Sequence, residues 1–110
     1  LGTPRYMSPE QAQGRTRELD AASDQFSVGV VFYELLTGVP PFTGESLLST
    51  LNAIVNEIPV APSLRRADLP SPIERICLRC LEKEPDQRFP SLGAMAEELT
   101  GLLRETPRSS

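Results

Sequence analysis

The sequence predicts an all-α fold, about five helices packed around a central buried one, and three observations carry that expectation. Two segments keep a helical apolar period: Leu47, Leu48, Leu51, Ile54, Val55 and Ile58, then Leu92, Met95, Ala96, Leu99, Leu102 and Leu103. Two tetrapeptides, Ser8-Pro9-Glu10-Gln11 and Ser71-Pro72-Ile73-Glu74, have the spacing of a capping box with proline in the first turn. The run from Phe26 to Leu36 is apolar all round a helical circumference, the mark of a buried helix. Its valines leave a strand open, but Gly38 and Pro40-Pro41 beyond it stop a helix better than a strand.

In order along the chain, a short helix runs from about Pro9 to Gln13 and ends at Gly14. Residues 15–22 carry charge without periodicity and read as an exposed connection. The central helix follows, capped by Ser23 or Asp24, whose side-chain oxygens suit the free N–H groups of a first turn. After the third helix, the stretch Pro59 to Pro70 reads as a Pro-rich polar linker. Ser71 then caps a fourth helix that sets Ile73, Ile76, Cys77, Cys80 and Leu81 on one face. Residues 1–104 form one unit and 105–110 a flexible tail or the start of a linker.

Composition narrows the chemistry. A chain of 110 residues with 39% hydrophobic content can enclose one modest core. It opens on Leu1 without a signal-peptide pattern, so the expectation is a piece of a longer protein. The net charge of -4, with both signs interspersed, offers no basic stripe for nucleic acid. The longest apolar run is too short to span a bilayer and is broken by Ser27, Gly29 and Glu34. Two cysteines fit a reducing compartment rather than a disulfide framework, which points to the cytoplasm, although a longer parent could be membrane-tethered. Cys77-x-x-Cys80 alone suggests zinc or redox chemistry, but a structural zinc needs about four ligands. With no His and no second cysteine pair, no metal site is expected, and both thiols read as small core hydrophobes.

Four motifs, in order, bring a family into view. Gly2-Thr3-Pro4-Arg5-Tyr6-Met7-Ser8-Pro9-Glu10 resembles the end of the activation segment in protein serine/threonine kinases, with Ser8 where the family more often has Ala. Ser23-Asp24-Gln25-Phe26-Ser27-Val28-Gly29-Val30 resembles the family's central buried helix, with Phe26 where Trp or Tyr is commoner. Thr37 to Phe42 resembles the loop after that helix, and Cys80 to Phe89 resembles the closing Arg motif. Together they cover about residues 1–103, and bacterial members of the family often have Ser-Pro-Glu in this place.

What the resemblance implies is specific. The chain corresponds to the C-terminal part of the large lobe in a kinase that transfers the ATP γ-phosphate to Ser or Thr of a protein substrate. Gly2, Thr3, Pro4, Arg5, Tyr6 and Met7 form the substrate-positioning loop, and Thr3 supports a catalytic loop contributed by the rest of the domain. Glu10 and Arg88 form a buried ion pair, and Asp24 also anchors the catalytic loop. The Gly-rich loop, paired Lys, catalytic Asp and metal-binding residues of phosphoryl transfer are absent, and in the family all precede Leu1. The fragment therefore has no catalytic residue of its own, binds no cofactor and is inactive alone; ATP and Mg belong to the complete kinase, and its partners are the protein substrate and the remainder of the kinase domain. Two rivals stand beside this reading: a pseudokinase or helical scaffold that binds a partner, and an unrelated helical interaction domain, against which the ordered motifs argue.

Overall fold

The computed structural model describes residues 4–15 and 20–105. Within them the chain is helical, with α1 (Pro9–Ala12), α2 (Ala21–Thr37), α3 (Leu47–Asn56), α4 (Pro62–Arg65), α5 (Ser71–Cys80) and α6 (Leu92–Glu105), and 3-10 turns at Pro4–Tyr6 and Pro85–Gln87. No strand occurs among the described residues. Of the expected tail 105–110, Glu105 instead closes α6, and residues 106–110 lie outside the described residues.

Helix α2 is the axis. Helices α4, α5 and α6 and both 3-10 turns pack on it, while α3 lies against α1 and the Pro4–Tyr6 turn. Its start is set by Asp20, which is extended and accepts a 2.8 Å bond from Ala22 N. Its end is set by Gly38, whose φ of +83° would strain any side chain and whose N–H returns to the Glu34 carbonyl at 2.8 Å. The cap therefore precedes Ser23 and Asp24. Ser23 cannot cap because it faces inward and its hydroxyl is engaged elsewhere, and Asp24 stands exposed in the first turn.

The first capping box forms: Gln11 N donates to Ser8 Oγ at 3.3 Å and Ser8 N to Gln11 Oε1 at 3.0 Å. The second does not. Pro70 takes the cap position, Ser71 is already helical, and Glu74 instead accepts the Ser63 N–H at 2.6 Å. That N–H belongs to the first turn of α4, which has only Ala61 at its own cap, so a carboxylate from α5 satisfies it. Helix α4 also corrects the reading of residues 59–70 as a linker. Pro62 is pre-set for a helical first turn and is buried, and Tyr33 fastens the stretch by donating to Val60 O at 2.6 Å and accepting from Arg65 Nε at 3.0 Å.

Two clusters make the core. Phe26, Val30, Tyr33, Phe42, Ala53, Ile54, Cys77 and Leu81 form the larger, and Ile76, Cys80, Phe89 and Met95 the smaller. Burying a side chain such as Phe26 or Ile54 stabilises by about 1.5–3 kcal/mol each. The Phe26 and Phe42 rings stack with centroids 6.0 Å apart, and each carries a cation: Arg88 Cζ at 5.0 Å from Phe26 and Lys83 Nζ at 4.0 Å from Phe42. Lys83 also donates to Ile54 O at 2.7 Å, and burial, the largest influence on it, draws its pKa down to about 8.

Helix α2 is not buried all round. Phe26, Gly29, Val30 and Tyr33 face the core, whereas Val28, Val31 and Leu35 are exposed, Leu35 at 76%. No described element packs over that second stripe. The predicted stripe of α3 is likewise only partly used: Ile54 is fully buried, but Leu47, Leu48 and, beyond the helix end, Ile58 are exposed.

Close approach of α2 and α5 needs Gly29, where a Cβ would stand 2.7 Å from Cys80 Cβ and 3.1 Å from Leu81 Cδ2. Gly29→Ala is expected to destabilise by about 1–3 kcal/mol through overpacking. Gly101→Ala, in an α6 site with nothing within 4 Å, is expected to stabilise by about 0.5–1 kcal/mol. Denaturant unfolding compares the two; a harmless Gly29→Ala would mean that α2 and α5 do not touch there.

Candidate functional site

The chain from Pro4 to Glu10 lies along one polar stripe of α2. Ser23, Ser27 and Glu34 recur on one face of that helix, and each holds part of the segment. Glu34 Oε2 accepts from Arg5 Nη2 at 3.2 Å, and the same nitrogen donates to Tyr6 OH at 2.7 Å. Ser27 Oγ donates to the Tyr6 carbonyl at 2.5 Å. Tyr6 and Met7 pack against the larger core cluster. Ser8 Oγ donates to Ser23 Oγ at 3.0 Å, and Ser23 Oγ in turn donates to Glu10 Oε2 at 2.7 Å. Gly2 and Thr3 lie outside the described residues, and Pro4 begins the 3-10 turn.

Glu10 meets Arg88 across 78 residues of chain. Arg88 Nη1 donates to Oε2 at 2.8 Å and Nη2 to Oε1 at 2.9 Å, a bidentate pair with side-chain exposures of 0% for Arg88 and 7% for Glu10. The other donors are also placed: Nη1 on Ala22 O at 2.9 Å, Nε on Glu82 O at 2.9 Å and Nη2 on Lys83 O at 3.3 Å. A guanidinium has five N–H groups, and here every one has an acceptor. Burial opposes ionisation of Glu10, but hydrogen bonds from Arg88, Ser23 and its own backbone N–H, with the Arg88 charge, outweigh it and bring the carboxyl down to about 2.

Asp24 lies in the first turn of α2, next to Ser23. Its residue is exposed, and it neither caps α2 nor joins the Glu10 network. A cleft of about 440 Å³ opens on the other side of Arg5, lined by Pro40, Phe42, Thr43, Leu47 and Thr50 among others. Cys77 and Cys80 are fully buried, and burial pushes their thiols up to about 12 and about 11, so both stay protonated and unreactive at neutral pH. Among the described residues no group of three or more His, Cys, Asp and Glu could hold a metal ion. Among them, too, no helix is long and apolar enough to cross a membrane.

The family resemblance pairs Glu10 with Arg88, but the sequence reading passes over Ser27 and Glu34 and offers Ser23 or Asp24 as the cap. The signal was present: polar residues at helical spacing on an otherwise apolar helix mark the face that meets a polar partner. Reading that run as uniformly apolar hid it.

The joint makes a sharp energetic prediction. Glu10→Gln strands a buried guanidinium and is expected to cost about 3–5 kcal/mol. Arg88→Met is expected to cost more, since it takes the donor from the Glu82 and Lys83 carbonyls as well as from Glu10. Arg88→Lys keeps the charge but offers three donors for five acceptor contacts, so it too is damaging. The double change Glu10→Gln with Arg88→Met is expected to cost less than the sum of the two single changes. A double-mutant cycle by denaturant unfolding measures this, and additivity with single costs under about 0.5 kcal/mol would contradict it.

Comparison with known proteins places these features in a family. The protein kinase domain profile matches residues 1–100. The chain is 47% identical over 98 residues to the serine/threonine-protein kinase PksC of Streptomyces coelicolor, covering 89% of this chain and 17% of that protein. It is 44% identical over 99 residues to the serine/threonine-protein kinase PknB of Mycolicibacterium smegmatis, covering 90% of this chain and 16% of that one. To PknB of Mycobacterium tuberculosis it is 42% identical over 107 residues, or 97% of this chain and 17% of the relative. The chain thus spans only about a sixth of the length of the curated relatives it matches. Its helical fold, its ordered motifs and these similarities agree: the chain belongs to the protein kinase family.

Proposed function

We propose that this chain is the C-terminal part of the large lobe of a serine/threonine protein kinase, and that its work there is to hold the substrate-positioning loop in place. The observation that carries the reading is the Glu10–Arg88 joint, because it ties the segment bearing Gly2 to Met7 to the base of the helical unit. Phosphoryl transfer is mostly a matter of positioning and charge stabilisation, so a rigidly held acceptor loop is a functional part rather than a scaffold detail. In this reading Thr3 supports the catalytic loop, Pro4 to Met7 receive the substrate chain, and Asp24 presents its exposed carboxylate to catalytic-loop N–H groups.

Catalysis itself belongs to the complete domain. ATP and Mg would be held by residues that this chain does not contain, and the chain alone transfers no phosphate. The exposed stripe Val28, Val31 and Leu35 on α2 supports a partner role for the remainder of the kinase domain, which would cover it. The relatives are named as serine/threonine-protein kinases, which supports protein Ser or Thr hydroxyls as the acceptors. We place the kinase domain in the cytoplasm.

Two assays test the proposal. Purified chain with labelled ATP, Mg and a generic protein acceptor is expected to incorporate no phosphate, and incorporation would overturn the fragment reading. In the complete kinase, Thr3→Ala is expected to lower turnover by about 10²-fold, as misplacement of reacting groups does, with little change in melting temperature. An unchanged rate would reduce Thr3 to a turn residue, and a complete protein unable to transfer phosphate would favour a scaffold.

A further inference from the structure

Gln25, on α2, is 1% exposed, and both ends of its amide bind a single distant residue: Nε2 donates to Phe89 O at 2.9 Å and Oε1 accepts from Phe89 N at 2.9 Å. Phe89 immediately follows Arg88. We propose that Gln25 is a positioning residue for the substrate loop: by clamping the main chain of Phe89 it sets the direction of the Arg88 fork, and through Arg88 the position of Glu10 and the segment ahead of it. This rests on the kinase reading and names how that site is held.

The geometry supports the clamp over mere filling of space. A carboxamide has a donor nitrogen at one end and an acceptor oxygen at the other, and the two ends match the C=O and N–H of one residue, the pairing a neighbouring strand would make. Among the described residues no strand is available to Phe89, so without Gln25 both groups would lose their partner there. The flanks of Arg88 are fixed from other directions: its N–H donates to Pro85 O at 3.2 Å, Arg79 reaches its carbonyl at 3.5 Å, and the Arg79 guanidinium lies 4.2 Å from the Phe89 ring centroid. The next side chain on α2, Phe26, puts its ring centroid 5.0 Å from the Arg88 Cζ. Adjacent residues of α2 thus hold the main chain and the guanidinium. The fork has five bonds to satisfy at once, so a small rotation of the Arg88 backbone breaks several of them together.

Two variants of the complete kinase domain test this. Gln25→Met keeps volume and removes both bonds. Gln25→Glu accepts from Phe89 N–H but, when ionised, sets a second acceptor against Phe89 O; when protonated it donates there and restores the clamp. Burial raises such a carboxyl while the Arg79 and Arg88 guanidiniums beside Phe89 lower it, so Gln25→Glu regains the clamp as the pH falls through that carboxyl's own midpoint. The first readout is hydrogen exchange, which needs no catalysis. In Gln25→Met, and in Gln25→Glu at high pH, exchange in residues 5–13 is expected to rise at least about tenfold while residues 74–80 of α5 stay unchanged, and low pH is expected to reverse the change in Gln25→Glu alone, relative to wild type at each pH. The second readout is kinetic: KM for the protein acceptor is expected to rise about tenfold or more with KM for ATP unchanged. Unchanged exchange at 5–13, or a rise shared equally by α5, would overturn the positioning role. Wild type that transfers no phosphate would instead defeat the kinase reading, and the exchange readout would still decide the clamp.

Discussion

Every N–H of the Arg88 guanidinium is committed, two to Glu10 and three to carbonyls at the start of α2 and in the loop after α5, and the arrangement of the chain depends on that one buried fork. It joins three places that are far apart in sequence: the α1 segment, the first turn of α2 and the stretch leading to α6. Taking two charges out of water is unfavourable by several kcal/mol each, and their attraction offsets this only with good geometry and no lone pair left over. Here both conditions hold. The pair is therefore better understood as a device that permits one geometry than as a large source of net stability.

Around it, α2 works as a two-sided part. One side carries Phe26, Val30 and Tyr33 into the core, and a polar stripe of Ser23, Ser27 and Glu34 grips the segment from Arg5 to Glu10. Gly29 lets α5 come close enough for Cys77 and Cys80 to fill the space as neutral thiols. The outer stripe of Val28, Val31 and Leu35 has no partner among the described elements. A helix with an apolar face inside, a polar seam beside it and an apolar face outside suits a component that sits between a helical base and something larger.

How much of this could be read from residues alone follows from how local each signal is. Ser8 and Gln11 cap α1 as expected because a capping box needs only four neighbouring residues to agree. The same pattern at Ser71 failed because a distant N–H, that of Ser63, competed for Glu74 and won. The α2 cap moved to Asp20 for a related reason: Ser23 was needed by Glu10, a residue that periodicity cannot bring near. Helix α4 was missed since a single turn has no period to detect and is held by Tyr33 and Glu74 from elsewhere. The pairing of Glu10 with Arg88 follows from the resemblance to the kinase family and not from any local rule. Gln25 and the seam of Ser27 and Glu34 required knowing what α2 packs against.

The most direct test of the joint is the titration of the Glu10 carboxyl itself, followed by carbon-13 chemical shift in selectively labelled kinase domain. A midpoint of about 2 is expected, well below the ordinary carboxyl range because of the bonds from Arg88 and Ser23. The folded-state value is the depressed one, so the joint's contribution is complete above the unfolded midpoint of about 4.3 and is lost as pH falls through about 2. Arg88→Lys should bring the midpoint upward. A wild-type midpoint above 4, indifferent to Arg88, would show that the carboxylate is an ordinary solvated one and that the fork does not hold the loop.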